Sequence, residues 1–235
     1  MNARFPNRTE AGRILAKLLS EYSDQPDVLV LALPRGGVPV ASEVAQTLNV
    51  PLDVFVVRKL GLPGHEELAM GAIASGGVRV LNREVIDQFA ISESVLEQTA
   101  QGELRELGRR EKAYREYRSA PQIDGRIIIL VDDGIATGST MRAAITALRR
   151  LRAGRVIVAT PIAALSTAEE MKLEVDAFFA VVTPVDFAGV GDWYDDFSQT
   201  TDEEVRQLLQ QANERLTPRR RVEGKRENRS QGSGQ

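Results

Sequence analysis

Short apolar runs bounded by polar and glycine residues recur along the chain, and stretches of helical spacing lie between them. Val28 to Leu33, Leu52 to Val57, Val78 to Leu81, Ile127 to Val131, Arg155 to Ala159 and Ala177 to Val182 predict strands. Thr9 is placed to cap a helix over Glu10 to Ser20, with Ile14, Leu15, Leu18 and Leu19 as its apolar positions. Pro39 to Leu48 predicts a helix with proline near its start. Met141 to Leu151, Thr167 to Leu173 and Asp202 to Leu216 predict further helices. Arg83 to Tyr117 reads as mostly helical, with capping-box spacing at Ser94 and Glu97 and apolar Leu96, Leu104 and Leu107. Gly61 to Gly77 is glycine-rich and reads as a long loop with room for short strands.

Alternation of this kind implies an α/β fold, a parallel sheet covered by helices on both faces. No repeat or linker divides the body, so the expectation is one domain over residues 1–216. Residues 217–235 carry six Lys/Arg against two Glu, a net +4, so the chain's −3 leaves −7 on the remainder. With Val222 as its one large aliphatic, this segment reads as a disordered basic tail. An acidic body opposes binding to nucleic-acid phosphates, which disfavours a nucleic-acid partner. There are no cysteines and one histidine, His65, which excludes disulfides and zinc–thiolate sites and leaves a Ser-His-Asp triad poorly supported. No apolar stretch reaches membrane-spanning length, and the first residues lack a signal-peptide core, so a cytoplasmic protein is expected.

The most informative run is IIILVDDGIATGST, residues 127–140. A buried strand is followed at once by Asp132 and Asp133, then by Gly134, Gly138 and the hydroxyls of Thr137, Ser139 and Thr140, and then by a helix. A loop closing onto a helix N-terminus aims free backbone N–H groups at one spot, where the helix dipole adds positive potential. Glycine lets the backbone approach and hydroxyls donate to phosphate oxygens. The acidic pair, one turn earlier, suits sugar hydroxyls or a Mg²⁺ ion that bridges to them. A phosphate pocket beside a diol-binding pair describes a ribose 5-phosphate site.

This run resembles the phosphoribosyl-pyrophosphate (PRPP) signature of type I phosphoribosyltransferases. The resemblance implies a three-layer, Rossmann-like fold with a five-stranded parallel sheet and a small hood from flanking segments; the long helical stretch before the signature strand would be an insertion. It implies transfer of 5-phosphoribosyl from PRPP to a nucleobase-like acceptor, with Mg²⁺ and release of pyrophosphate. Asp132 and Asp133 would hold the ribose diol and, through PRPP or water, the metal. Gly134, Ile135, Ala136, Thr137, Gly138, Ser139 and Thr140 would hold the 5-phosphate. Ala136 stands where the family's 6-oxopurine enzymes place an aspartate, which argues against that acceptor class. A homodimer is left open.

Two further loops leave the same sheet edge. Arg35, Gly36 and Gly37 make an anion-friendly turn after the first strand; the resemblance assigns it to pyrophosphate and implies a cis peptide at Pro34–Arg35 or Arg35–Gly36. Arg58 and Lys59, paired cations at a strand end that would neutralise pyrophosphate, precede a Leu-Pro-Gly segment like the flexible loop of adenine phosphoribosyltransferases, with Glu66 or Glu67 as the glutamate that acts on the base or moves a proton. Phe187, Trp193 and Tyr194 are candidates to stack on a base, with packing under the last helix as the alternative. A non-catalytic PRPP-binding regulator is the competing function.

Overall fold

The computed structural model describes residues 4–116 and 118–216, with the backbone alone over 65–67. The basic tail from Thr217 onward lies outside the described residues. Eight strands are described: β1 (Val28–Ala32), β2 (Leu52–Val54), β3 (Val57–Leu62), β4 (His65–Ala74), β5 (Val78–Leu81), β6 (Ile127–Val131), β7 (Arg155–Ile162) and β8 (Ala177–Val182). The helices are α1 (Arg8–Leu18), α2 (Gly37–Leu48), α3 (Arg83–Gln88), α4 (Glu93–Arg115), α5 (Ser139–Arg150), α6 (Leu165–Met171) and α7 (Asp202–Leu216).

Five strands form the parallel sheet in the order β2-β1-β6-β7-β8. Their apolar runs are continuous because both faces are covered, and the period-two alternation within each run sorts residues between two cores. Val28, Val30, Ala32, Ile129, Val131 and Ile157 pack with α1, α2 and α7. Leu29, Leu31, Ile128, Leu130, Val156 and Val158 pack with α5 and α6. Val30, Ile129 and Ile157 stand in one register row, so a one-residue slip would exchange the two cores. From β1 the chain runs outward to β2, and from β6 it runs the other way through β7 to β8. The loops after β1 and β6 therefore diverge at the switch point, the crevice where open α/β sheets take ligands.

Five local expectations are corrected. The cap of α1 is Asn7 rather than Thr9: its Oδ1 accepts the Glu10 N–H at 2.9 Å. Of the four apolar positions, Leu15 and the C-cap Leu19 are buried while Ile14 and Leu18 face solvent. Ser92, not Ser94, caps α4, and Glu97 pairs with Arg79 at 2.5 Å instead of closing a capping box. Leu104 is exposed and Leu107 carries the contact. The apolar run Leu52 to Val57 splits: β2 ends at Val54, and β3 belongs to a separate antiparallel sheet, β3-β4-β5.

That sheet also replaces the expected long loop. Gly71 reads as a loop residue but serves strand pairing: a Cβ there would lie 2.3 Å from the Val80 carbonyl oxygen. A second contact joins the N-terminal segment to the segment that follows β8. Phe5 donates to the Trp193 carbonyl at 2.8 Å and accepts from Asp195 at 2.9 Å.

Candidate active site

The loop after β6 closes directly onto α5. Gly138 caps the helix in the left-handed conformation (φ 73°), and Ser139 and Thr140 form its first turn. Residues 134–141 wall a cavity of about 210 Å³, together with Asp132, Lys59 and Val190. The expected phosphate loop is therefore one continuous wall at a helix N-terminus. It is braced from behind: Thr167 Oγ1 donates to the Ala136 carbonyl at 2.6 Å, and Arg142 donates to the Thr137 carbonyl at 2.8 Å while pairing with Glu170 and Glu174.

The acidic pair is asymmetric. Asp132 is half-buried at the cavity wall, and its Oδ1 accepts the Asp133 N–H at 2.9 Å. Burial, and then the neighbouring Asp133 charge, push its carboxyl well above the usual carboxylate range. Asp133 instead meets a cation: Arg8 Nε donates to its Oδ2 at 2.8 Å. The Arg8 and Asp133 side chains are 11% and 14% exposed. Arg8 Nη1 also donates to the Ser198 carbonyl at 2.7 Å, and its guanidinium carbon sits 3.9 Å from the Phe197 ring centre. Tyr194 Oη donates to the Asp133 carbonyl at 2.6 Å, and burial is the leading cause that raises its own pKa.

The loop after β1 reaches the same pair. A Cβ on Gly36 would lie 2.0 Å from Asp133 Oδ2, and one on Gly37 would lie 2.8 Å from the Val131 carbonyl oxygen. Only a residue without a side chain lets this loop lie against the acidic pair. The Pro34–Arg35 peptide is cis. Arg35 stands 3.7 Å from Asp202 Oδ1, which also accepts the Tyr114 hydroxyl at 2.9 Å.

The other candidates divide. Lys59 lines the cavity. Arg58, its neighbour on β3, turns the other way and pairs with Glu103 at 2.7 Å. Glu67 lies on β4, but its side chain is outside the described residues, as is that of Glu66. The expectation of free stacking rings at Trp193 and Tyr194 is corrected. Trp193 is 6% exposed and packs with Phe5, Ala11 and Ile162. The ring of Tyr194 lies between Phe5 at 5.5 Å and Phe197 at 5.2 Å. Phe187 is half-buried against the same cluster.

Sequence reasoning missed Arg8 and Thr167. Arg8 had one usable signal: a cation in the first turn of a helix opposes the helix dipole, at a cost of about 0.3–1 kcal/mol, so such a residue needs an anionic partner. Thr167 had none, because its partner lies 31 residues away.

No helix among the described residues is long and apolar enough to cross a membrane. Residues 7–190 match the phosphoribosyl transferase domain family. Provisionally named phosphoribosyl transferases from two strains of Mycobacterium tuberculosis are each 44% identical to the chain over 208 residues, 88% of this chain and 47% of theirs. The chain thus spans about half the length of these curated relatives. The crystal structure of TT1426 from Thermus thermophilus superposes with a TM-score of 0.78 at 40% identity, covering 88% of this chain and 98% of that one. The parallel sheet, the loop at the α5 N-terminus and the family match over residues 7–190 agree: the chain belongs to the phosphoribosyl transferase domain family.

Proposed function

We propose that the protein transfers the 5-phosphoribosyl group of PRPP to a nucleobase-like acceptor and releases pyrophosphate. The observation that carries this reading is the cavity of about 210 Å³ in which the phosphate-type loop, Asp132 and Lys59 meet. The backbone N–H groups and hydroxyls of residues 134–140 would hold the 5-phosphate. Asp132 and Asp133 would hold the ribose diol, and Lys59 and the Arg35-Gly36-Gly37 turn would hold pyrophosphate. The acceptor nitrogen forms its bond to C1 as the C1–O bond breaks and its electron pair leaves on pyrophosphate. Positive charge develops on the ribose meanwhile, so carboxylate oxygens held at the diol would stabilise the transition state. Glu67 is assigned the proton that the acceptor nitrogen loses, and Phe187 is the aromatic residue left to meet the acceptor.

Among the described residues no cluster of three or more His, Asp or Glu side chains forms a metal cage. Two carboxylates at a diol site fit Mg²⁺ held by the oxygens of PRPP, where it would neutralise the leaving group.

One observation favours a second reading, a PRPP-binding regulator without turnover. Arg58 is paired with Glu103, and Arg35 stands near Asp202, so two expected pyrophosphate contacts face protein carboxylates. One experiment separates the readings. The protein is incubated with PRPP, Mg²⁺ and a panel of nucleobases, with pyrophosphate release and PRPP affinity both measured. Release with any base supports the enzyme; tight binding with no release supports the regulator; absence of binding removes both. Asp133→Asn should weaken PRPP binding about 10–100-fold, the range for a hydrogen bond to a charged group.

A further inference from the structure

We infer that Arg8 is a positioning residue of the ribose site, one that fixes the orientation of the Asp133 carboxylate toward the ribose hydroxyls. The inference rests on the PRPP reading above and adds a residue from the first turn of α1 to a site otherwise built from loops at the sheet edge. Four contacts fix the guanidinium. Nε donates to Asp133 Oδ2 at 2.8 Å and Nη1 to the Ser198 carbonyl at 2.7 Å. The guanidinium carbon lies 3.9 Å from the Phe197 ring centre and 5.9 Å from that of Tyr194. A cation stacked on an aromatic face and held by two acceptors at right distances has little freedom left.

The carboxylate is fixed as tightly. Its Oδ2 meets Arg8 on one side and the backbone of Gly36 on the other, where a Cβ would come to 2.0 Å. The Asp133 backbone is held by the Tyr194 hydroxyl at its carbonyl and by Asp132 Oδ1 at its N–H. Oδ2 is thus committed to the protein, and Oδ1 is the oxygen assigned to the ribose hydroxyls. Arg8 also links the N-terminal segment to the segment that follows β8, because Ser198 and Phe197 follow the residues that bond Phe5.

The test measures binding by calorimetry for the wild type, Arg8→Ala, Arg8→Lys and Arg13→Ala, with two probes, PRPP with Mg²⁺ and inorganic phosphate. Inorganic phosphate reads the anion-binding loops without the ribose diol. Arg13, one turn along α1, pairs with Glu10 and Glu43 on the exposed side and serves as the control. Arg8→Ala should weaken PRPP by about tenfold or more, as expected for loss of a charge-assisted hydrogen bond, and leave phosphate affinity unchanged. Arg8→Lys should recover part of the loss, and Arg13→Ala should match the wild type. PRPP affinity in Arg8→Ala equal to or above the wild type would overturn the inference, as would parallel loss of both probes, which marks a general folding defect. A wild type that binds phosphate but not PRPP fails differently: it overturns the proposed function, and the inference with it.

Discussion

At the scale of single residues, the two aspartates have been given unlike environments. Asp133 has a cation at 2.8 Å, while half-buried Asp132 is held above the usual carboxylate range by desolvation and the Asp133 charge. A carboxyl whose folded pKa is raised stabilises the fold below its unfolded value and loses that contribution as pH rises through the folded value. Thermal stability should therefore fall from the ordinary carboxylate range upward to the raised pKa of Asp132. Asp132→Asn, which cannot ionise, should flatten this part of the profile and raise Tm near neutral pH by roughly 2–4 °C, the shift for about 1 kcal/mol in a chain of this size. A wild-type and variant pair with parallel Tm–pH profiles would show that Asp132 ionises freely in the fold. Gly36 makes a complementary prediction. A Cβ 2.0 Å from Asp133 Oδ2 must displace the carboxylate or the loop. Gly36→Ala should cost about 1–3 kcal/mol of stability and most of the PRPP affinity. Unchanged chemical denaturation and binding would mean that the two loops are not in contact.

Secondary-structure elements differ in how openly the sequence declares them. β6 has the bounds that its apolar run predicts, because a strand buried on both faces is apolar throughout and polar residues end it. The phosphate-type loop was equally readable, since all of its parts lie within residues 132–140. Caps were not: Asn7 and Thr9, or Ser92 and Ser94, are chemically alike, and the choice follows from where tertiary packing starts the helix. β4 was hidden because Gly71 weakens the strand signal while allowing the close approach to β5. The bracing of the phosphate loop by α6 was also invisible, and it carries a prediction. Thr167→Val keeps the side-chain shape and removes the hydroxyl that bonds the Ala136 carbonyl at 2.6 Å. The loss should be about 1 kcal/mol, read as roughly fivefold weaker inorganic phosphate binding, with Tm lowered by only a few degrees. Equal phosphate affinity in the two proteins would show that the loop holds its shape without α6.

For the whole molecule, the question is what ties the second sheet and its helices to the parallel sheet that bears the site. Helix α4 packs on β3, β4 and α7 and ends at Arg115. There the guanidinium enters the core, 6% exposed. Its Nε donates to Asp53 Oδ1 at 2.8 Å and Nη2 to the Val54 carbonyl at 2.8 Å, both on β2 at the edge of the parallel sheet. One residue earlier, the Tyr114 hydroxyl reaches Asp202, which neighbours Arg35 in the turn after β1. The end of α4 thus pins that helix to the sheet and borders the site in the same turn. A buried ion pair is weak evidence for stability by itself, because desolvation opposes the Coulomb gain. Removing one partner is costly, because the other charge stays buried alone. Arg115→Met should destabilise the protein by about 3–5 kcal/mol, a fall in Tm on the order of 10 °C. Asp53→Leu combined with Arg115→Met removes both charges and should recover most of that loss in denaturant unfolding. A double variant no more stable than Arg115→Met would mean that the bond to the Val54 carbonyl, not the charge pair, holds α4 to the sheet.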